Sequence, residues 1–305
     1  MNLKSKHKFI ALIAFSLTVA LLGYLFVFPY HYQVSFSTKQ PTGVVFDHLR
    51  AWPEFSQQDS VWINNESLSF YDRLTQDIKT PLGNMQVDWK IKQNSDRSTQ
   101  VQGRFTATQH PIMQKLLMPI GQSFIPERSI NLTESLAKGL IEKSKNFKVH
   151  SIRDTVLPAI YCAYIPVKTR ETNKAQGMLR QISTVMDYLK GNTIALKGDP
   201  MIQVTQWSKQ QQQLEFDFCF PIDAQENLPE HPEVAFKHTN SGRYLKATFN
   251  GNYRISQQGW YALIDHAQRN GIRLGDQAIE IYRNDPHEGG DSMEWVAEIL
   301  MPILE

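Results

Sequence analysis

The longest uninterrupted apolar stretch in this 305-residue chain runs from Phe9 to Phe28, "FIALIAFSLTVALLGYLFVF", without one charged side chain. About 20 such residues, rising ~1.5 Å each, span a hydrocarbon core of roughly 30 Å. No side of the segment is polar, unlike a helix that packs on a globular core. The pattern predicts a transmembrane helix. Lys4, Lys6 and Lys8 precede it, and Tyr24, Tyr30 and Tyr32 gather at its far end. Positive charge on the cytoplasmic side and aromatic residues at the interface put the N-terminus in the cytoplasm and the rest of the chain outside, periplasmic or extracellular. A cleaved signal peptide is the alternative, but the run is longer than the usual h-region and no Ala-x-Ala-like site follows.

Past the apolar run the periodicity changes twice. From His31 to Phe147 a strand ("YHYQVSFST") and a helix opening after Pro41 lead into alternating stretches, "SLSFYDRL", "NMQVDWKIKQ" and "TQVQGRFTAT". A helix around "SINLTESLAKGLIEKSKNF" closes this region, with Leu132, Leu136 and Leu140 on one side. The Met- and Leu-rich "HPIMQKLLMPIGQSF" reads either as a flexible lid or as a packed loop.

The remainder repeats itself. "LKGDPMIQVTQW" aligns without a gap to "RLGDQAIEIYRN" when Gly198 is set on Gly275 and Asp199 on Asp276, and "LEFDFCFPI" matches "WVAEILMPI". Each such pair of strands follows a helix, and each helix follows a strand, "AIYCAYIPV" or "YLKATFNGNY". Both helices run to a Gly, as helix C-termini prefer. This describes two βαββ halves related by a pseudo-twofold axis. The fold class expected is α+β with antiparallel sheets. The divisions are 1–32 for the cytoplasmic tip and anchor, 33–147 for a first soluble domain and 148–305 for the duplicated one.

Strand alternation nominates a site. Successive side chains point to opposite faces, so Ala278, Glu280 and Tyr282 share one face and Ile279 and Ile281 the other. In "LEFDFCF", Leu214, Phe216, Phe218 and Phe220 form an apolar face that needs helices against it, leaving Glu215, Asp217 and Cys219 opposite. The repeat places Asp217 on Glu298, which Val296 and Leu300 flank. Glu298, Glu280, Tyr282 and Asp217 are therefore expected on one concave surface away from the helices, with Glu298 as the main counter-charge. A wet strand face without a special role is the plain alternative. Such a groove suits a small hydrophobic or cationic ligand, held by charge pairing and by stacking on Trp260, Tyr261 or Tyr282.

Composition narrows the reading. A net charge of +2 with no basic run beyond the first lysines lacks the footprint of a nucleic-acid binder, and no helix-turn-helix pattern is present. Nine histidines and two cysteines show no metal-ligand spacing, and no P-loop, G-x-G-x-x-G or G-x-S-x-G occurs. No metal or cofactor is expected. Cys162 and Cys219 lie in strand-like runs, and the sequence leaves open whether they pair.

Two resemblances add to this. "VVFDHLRAWPEFSQQDSVW" and "VDWKI" resemble the START-like or polyketide-cyclase-like (SRPBCC) superfamily, which implies a helix-grip fold, a curved antiparallel sheet around a long helix, enclosing an apolar cavity for a lipid-like ligand. Trp52, Phe55, Trp62 and Trp89 are then either cavity lining or core. The second half, with Asn270-Gly271, "EIYRNDP" from Glu280 to Pro286 and the ending from Glu298 to Ile303, resembles the GyrI-like effector-binding domain attached to AraC- and MerR-type regulators. That resemblance implies a groove binding amphipathic or cationic molecules, often with a buried Glu as counter-charge. Some members of that family open strained rings hydrolytically. The expected function is thus a membrane-anchored small-molecule binding protein, with a Glu/Tyr acid-base hydrolase or a scaffold as the alternatives.

Overall fold

A computed structural model describes residues 3–55, 61–225 and 227–305. The chain divides into two compact units, Met1–Leu140 and Ile141–Glu305.

In the first unit the apolar run forms helix α1 (Leu3–Phe26). From Phe9 to Phe26 none of it is buried. Strand β1 (Tyr32–Thr38), helix α2 (Thr42–Phe55) and strands β2 (Trp62–Ser69), β3 (Arg73–Thr80), β4 (Gly83–Gln93) and β5 (Thr99–Ala107) follow. They build a five-stranded antiparallel sheet in the order β1-β5-β4-β3-β2. The stretch "SLSFYDRL", expected to alternate as one strand, instead spans the turn between β2 and β3. Tyr71 there takes a φ of 66°, which no strand residue adopts. A short helix α3 (Pro111–Leu117) leads to the long helix α4 (Ile125–Ser144), which buries Leu132, Leu136 and Leu140.

Trp89 lies at the centre of this unit with no exposed surface, edge-on to Trp52 and Phe105. Its ring fits only because residue 103 is glycine; a Cβ there would stand 2.6 Å from it. Trp52 is also buried, whereas Trp62 is 67% exposed and lines no core. Residues 56–60, part of the stretch that carries the START-like resemblance, lie outside the described residues, and so does the side chain of Phe55.

The second unit comprises β6 (Phe147–Leu157), β7 (Tyr161–Arg170), α5 (Lys174–Gly191), β8 (Met201–Ser208) and β9 (Gln213–Pro221). After these come β10 (Ala235–His238), β11 (Gly242–Gly251), α6 (Gln258–Asn270), β12 (Ile279–Tyr282) and β13 (Val296–Pro302). One eight-stranded sheet runs β10-β7-β9-β8-β12-β13-β11-β6. Its centre is two copies of a three-stranded block, β7-β9-β8 and β12-β13-β11, each carrying one helix. The two halves meet at the β8–β12 pair, and β10 and β6, which the repeat does not contain, cover the edges. Glycines let both helices close on the sheet: a Cβ at Gly177 of α5 would stand 2.9 Å from Val167, and one at Gly259 of α6 2.7 Å from Ile299. Helix α6 ends on Gly271 in the left-handed region, as expected; at α5 the left-handed residue is Thr193, two beyond Gly191.

Candidate ligand cavity

The ladder registers decide which side chains can meet. Residues directly opposite in an antiparallel pair project to the same face. Glu280 stands opposite Ile299 and Ile202, and Ile202 opposite Phe218. Glu280 and Tyr282 therefore share the face of Phe218 and Phe220, which α5 covers. Asp217 stands opposite Gln203, Gln203 opposite Ile279, and Glu298 opposite Ile281, so these occupy the other face. The structure does not bring the four nominated residues onto one surface.

Alternation alone does not say which face of β12 meets the helices, and the repeat alignment is one residue out at β8 and β12. Leu214–Ile222 and Trp295–Ile303 are equivalent as aligned, since Ile222 bridges Leu196 as Ile303 bridges Leu274. Phe218 then corresponds to Ile299, and the counterpart of Glu280 is Ile202 rather than Gln203. A shift of one residue in a strand exchanges its two faces. Asp217 and Glu298 do correspond, but on the face opposite to Glu280.

On that second face every acid already has a partner. Asp217 accepts from Lys237 at 2.5 Å. Glu298 bridges Lys246 at 2.7 Å and Arg283 at 2.8 Å. Its partial burial raises the carboxyl pKa, but hydrogen bonds from Lys246 and Arg283 outweigh this and hold it below the usual range. Glu298 is thus not an open counter-charge. Around these pairs the face is closed by a buried cluster that includes Cys162, Cys219, Met201, Ile279, Ile281 and Leu300. Both cysteines are free thiols.

On the helix-covered face Glu280 has no exposed surface, and its two oxygens are occupied. Oε1 accepts from Lys174 at 2.5 Å, and Oε2 accepts from the hydroxyls of Ser256 at 2.6 Å and Tyr282 at 2.8 Å. Lys174, 1% exposed, is the first residue of α5, where a cation opposes the helix dipole. Burial pulls its ammonium below the ordinary lysine range, while the Glu280 carboxylate acts the other way. The same environment raises the Tyr282 phenol well above its usual value, first through burial and then through the adjacent Glu280. Glu171 extends the network, accepting from Tyr261 at 2.8 Å and from the Trp207 indole at 3.4 Å. Trp260 lies against Lys174, with the ammonium 5.0 Å from its ring centre, and stacks edge-on to Trp207. Trp260 and Tyr261, nominated as open stacking surfaces, are instead buried parts of this interior network.

Above the network, on the same face, lies a cavity of about 760 Å³. One wall is α5, through Met178, Leu179, Ile182 and Met186; Phe218 and Phe220 of β9 form another part of the lining. Tyr282, Tyr253 and Trp295 add aromatic edges, and Asp199, Arg254, Arg283, Asp285 and His287 supply its ionisable groups. Tyr253 is fixed by donating to the Val296 carbonyl at 2.8 Å, and burial pushes its phenol up to about 12. Of the six nominated residues, only Tyr282 lines the cavity; Glu280 is linked to it through the Tyr282 hydroxyl. Lys174, Tyr253, Arg254 and the α5 wall were not nominated. The wall had a signal, because Met178, Leu179, Ile182 and Met186 make an apolar stripe wider than contact with a sheet requires. Lys174 had one too: a lysine opening a helix needs a nearby acid.

The second unit thus combines a duplicated βαββ sheet with an apolar cavity under one helix, the kind of concave, mostly apolar space that ligand pockets occupy. Residues 153–304 match the GyrI-like small molecule binding domain family, and the second unit is a GyrI-like domain. No curated protein matches the chain. Among solved structures, it is similar to EcmrR in an EcmrR–DNA complex (16% identity, TM-score 0.43, covering 64% of this chain and 72% of that one). It is also similar to the EcmrR C-terminal domain (15%, 0.43, 52% and 98%) and to SAV2435 bound to tetraphenylphosphonium (11%, 0.36, 51% and 94%).

Proposed function

We propose that this protein is a membrane-anchored receptor or carrier whose GyrI-like domain holds a small amphipathic molecule in the cavity beneath α5. The observation that carries the reading is the cavity itself. A volume of about 760 Å³ lies in the range of ligand pockets, and its apolar body with a few polar groups is their usual composition. The hydrolytic alternative finds no support in this geometry. A general acid or base must reach its substrate, and Glu280 is closed off by Lys174, Ser256 and Tyr282.

The anchor reading is supported by α1, whose window Phe9–Phe26 has a mean hydropathy of 2.4. Its end is held by the first unit. Lys115 donates to the carbonyls of Leu25, at 2.8 Å, and Phe28, and the Tyr24 hydroxyl donates to the Lys115 carbonyl. On either side of Lys115, Ile112, Met113, Leu116 and Ile120 are exposed, an arrangement suited to lying on a bilayer interface. For the first unit, an antiparallel sheet with a long final helix supports the START-like reading.

The test of the cavity is a calorimetric titration of the protein in lipid nanodiscs with the neutral amphiphile 2-naphthamide, using empty discs as the blank. Saturable binding is expected, together with its loss in Ile182→Trp, where the indole fills the space beside α5. Ile182 is only half-buried, so the fold should survive, which circular dichroism checks. Equal binding by wild type and Ile182→Trp would place the ligand elsewhere.

A further inference from the structure

We infer that the cavity selects molecules with a negatively charged head on an apolar body, and that Arg254 receives that head. This deepens the reading of the cavity as the ligand site and rests on it. It also departs from the expectation that a buried glutamate in this fold supplies the counter-charge for a cation.

The inference starts from Glu280. Lys174 is 2.5 Å from it, and both are sealed from solvent. Whether the proton sits on nitrogen or oxygen, the pair sums to zero charge. For a cation to use Glu280 it would have to displace Lys174, leaving that ammonium buried without its partner, a costly arrangement. Lys174 cannot swing away cheaply, because Ser256 also accepts from it at 2.6 Å and the Trp260 ring covers it. Glu171 adds a second buried acid, but its oxygens are held by Tyr261 and Trp207, and none of these three lines the cavity.

Most of the charges that line the cavity are engaged with one another. Asp199 pairs with Arg283 at 2.6 Å, and Asp285 with His287 at 2.8 Å. Asp199 is thereby neutralised, while Asp285 is more than half exposed and hydrogen-bonded to the His287 ring, which balances its charge only when protonated. Arg283 divides its guanidinium between Asp199 and Glu298, so it has no free fork to offer. Arg254 is different: its side chain has no ion-pair or hydrogen-bond partner among the described residues, although it lines the cavity. Its backbone is fixed, since its N–H donates to the Asn252 side chain at 3.0 Å and the adjacent Tyr253 hydroxyl is tied to β13. Arg254 is exposed, and a planar, permanently charged guanidinium at the edge of an apolar cavity is suited to a carboxylate, sulfonate or phosphate head. Phe218, Phe220 and the α5 wall take the apolar body.

Three ligands that share one ring system separate the outcomes: 2-naphthoate, 2-naphthamide and 2-naphthylmethylammonium, titrated calorimetrically into the full chain in neutral-lipid nanodiscs against empty discs. Wild type should bind the anion about 5-fold or more tightly than the amide, the scale of one partly solvated charge pair, and the ammonium most weakly. Arg254→Gln should lower the anion-over-amide affinity ratio to about one, and Arg254→Lys should restore part of it. Tightest binding of the ammonium, or an anion affinity indifferent to Arg254→Gln, overturns the inference while leaving the cavity as the site. Failure of all three ligands to bind overturns the cavity reading and this inference together.

Discussion

At the scale of single residues, the GyrI-like domain turns on one buried ion pair. Transfer of an isolated charge into a protein interior costs several kcal/mol, and here Lys174 and Glu280 offset each other, with Ser256 and Tyr282 satisfying the remaining lone pairs. Removing either charge alone leaves the other stranded. Lys174→Met or Glu280→Leu should each destabilise the domain by about 3–5 kcal/mol. The double variant should recover the part of that loss that comes from a stranded charge but not all of it, because the Ser256 and Tyr282 hydroxyls lose the carboxylate they donate to. Denaturant unfolding of the detergent-solubilised protein, followed by tryptophan fluorescence, measures this cycle. Additive losses in the double variant would show that the two residues act separately. Glu280 is legible as a candidate from the phenol of Tyr282 two residues on, on the same face, and its partner is not, because 106 residues separate them in the chain.

At the scale of elements, periodicity located the helices and most strands well. Helix α6, the strands β7 and β11 and the buried leucines of α4 stand where their patterns put them. What periodicity could not supply was register. Alternation pairs Glu280 with Tyr282 on one face of β12, yet it does not say which face meets the helices, and a repeat alignment one residue out in β8 offers no check on it. Phe218 and Phe220 held the answer, since β12 is linked to β9 through β8 and Glu280 follows them in the ladder. The repeat gives no pointer to strand β6, which lies outside the repeated block, on the edge of the sheet. Helix α1 is legible from composition alone, and its orientation rests on Lys4, Lys6 and Lys8. With the N-terminus in the cytoplasm, a periplasm-only enzymatic reporter fused after Glu305 should be active and a cytoplasm-only reporter silent. The reverse pattern would contradict the orientation.

At the scale of the whole molecule, the chain forms two units of different architecture, the first of which includes the apolar helix, and each has its own buried core. The GyrI-like sheet presents two faces with different characters. One carries acids that are all paired and a closed apolar cluster containing both cysteines; the other carries the cavity, beneath an over-wide apolar stripe on α5. The sequence pattern nominates residues on the former, and the proposed site is the cavity on the latter. The most direct measurement is a crystal structure of the protein with 2-naphthoate bound. Ring density between Ile182 of α5 and Phe218, with its carboxylate toward Arg254, is the predicted result. Density on the opposite face, beside Asp217 or Glu298, would contradict it.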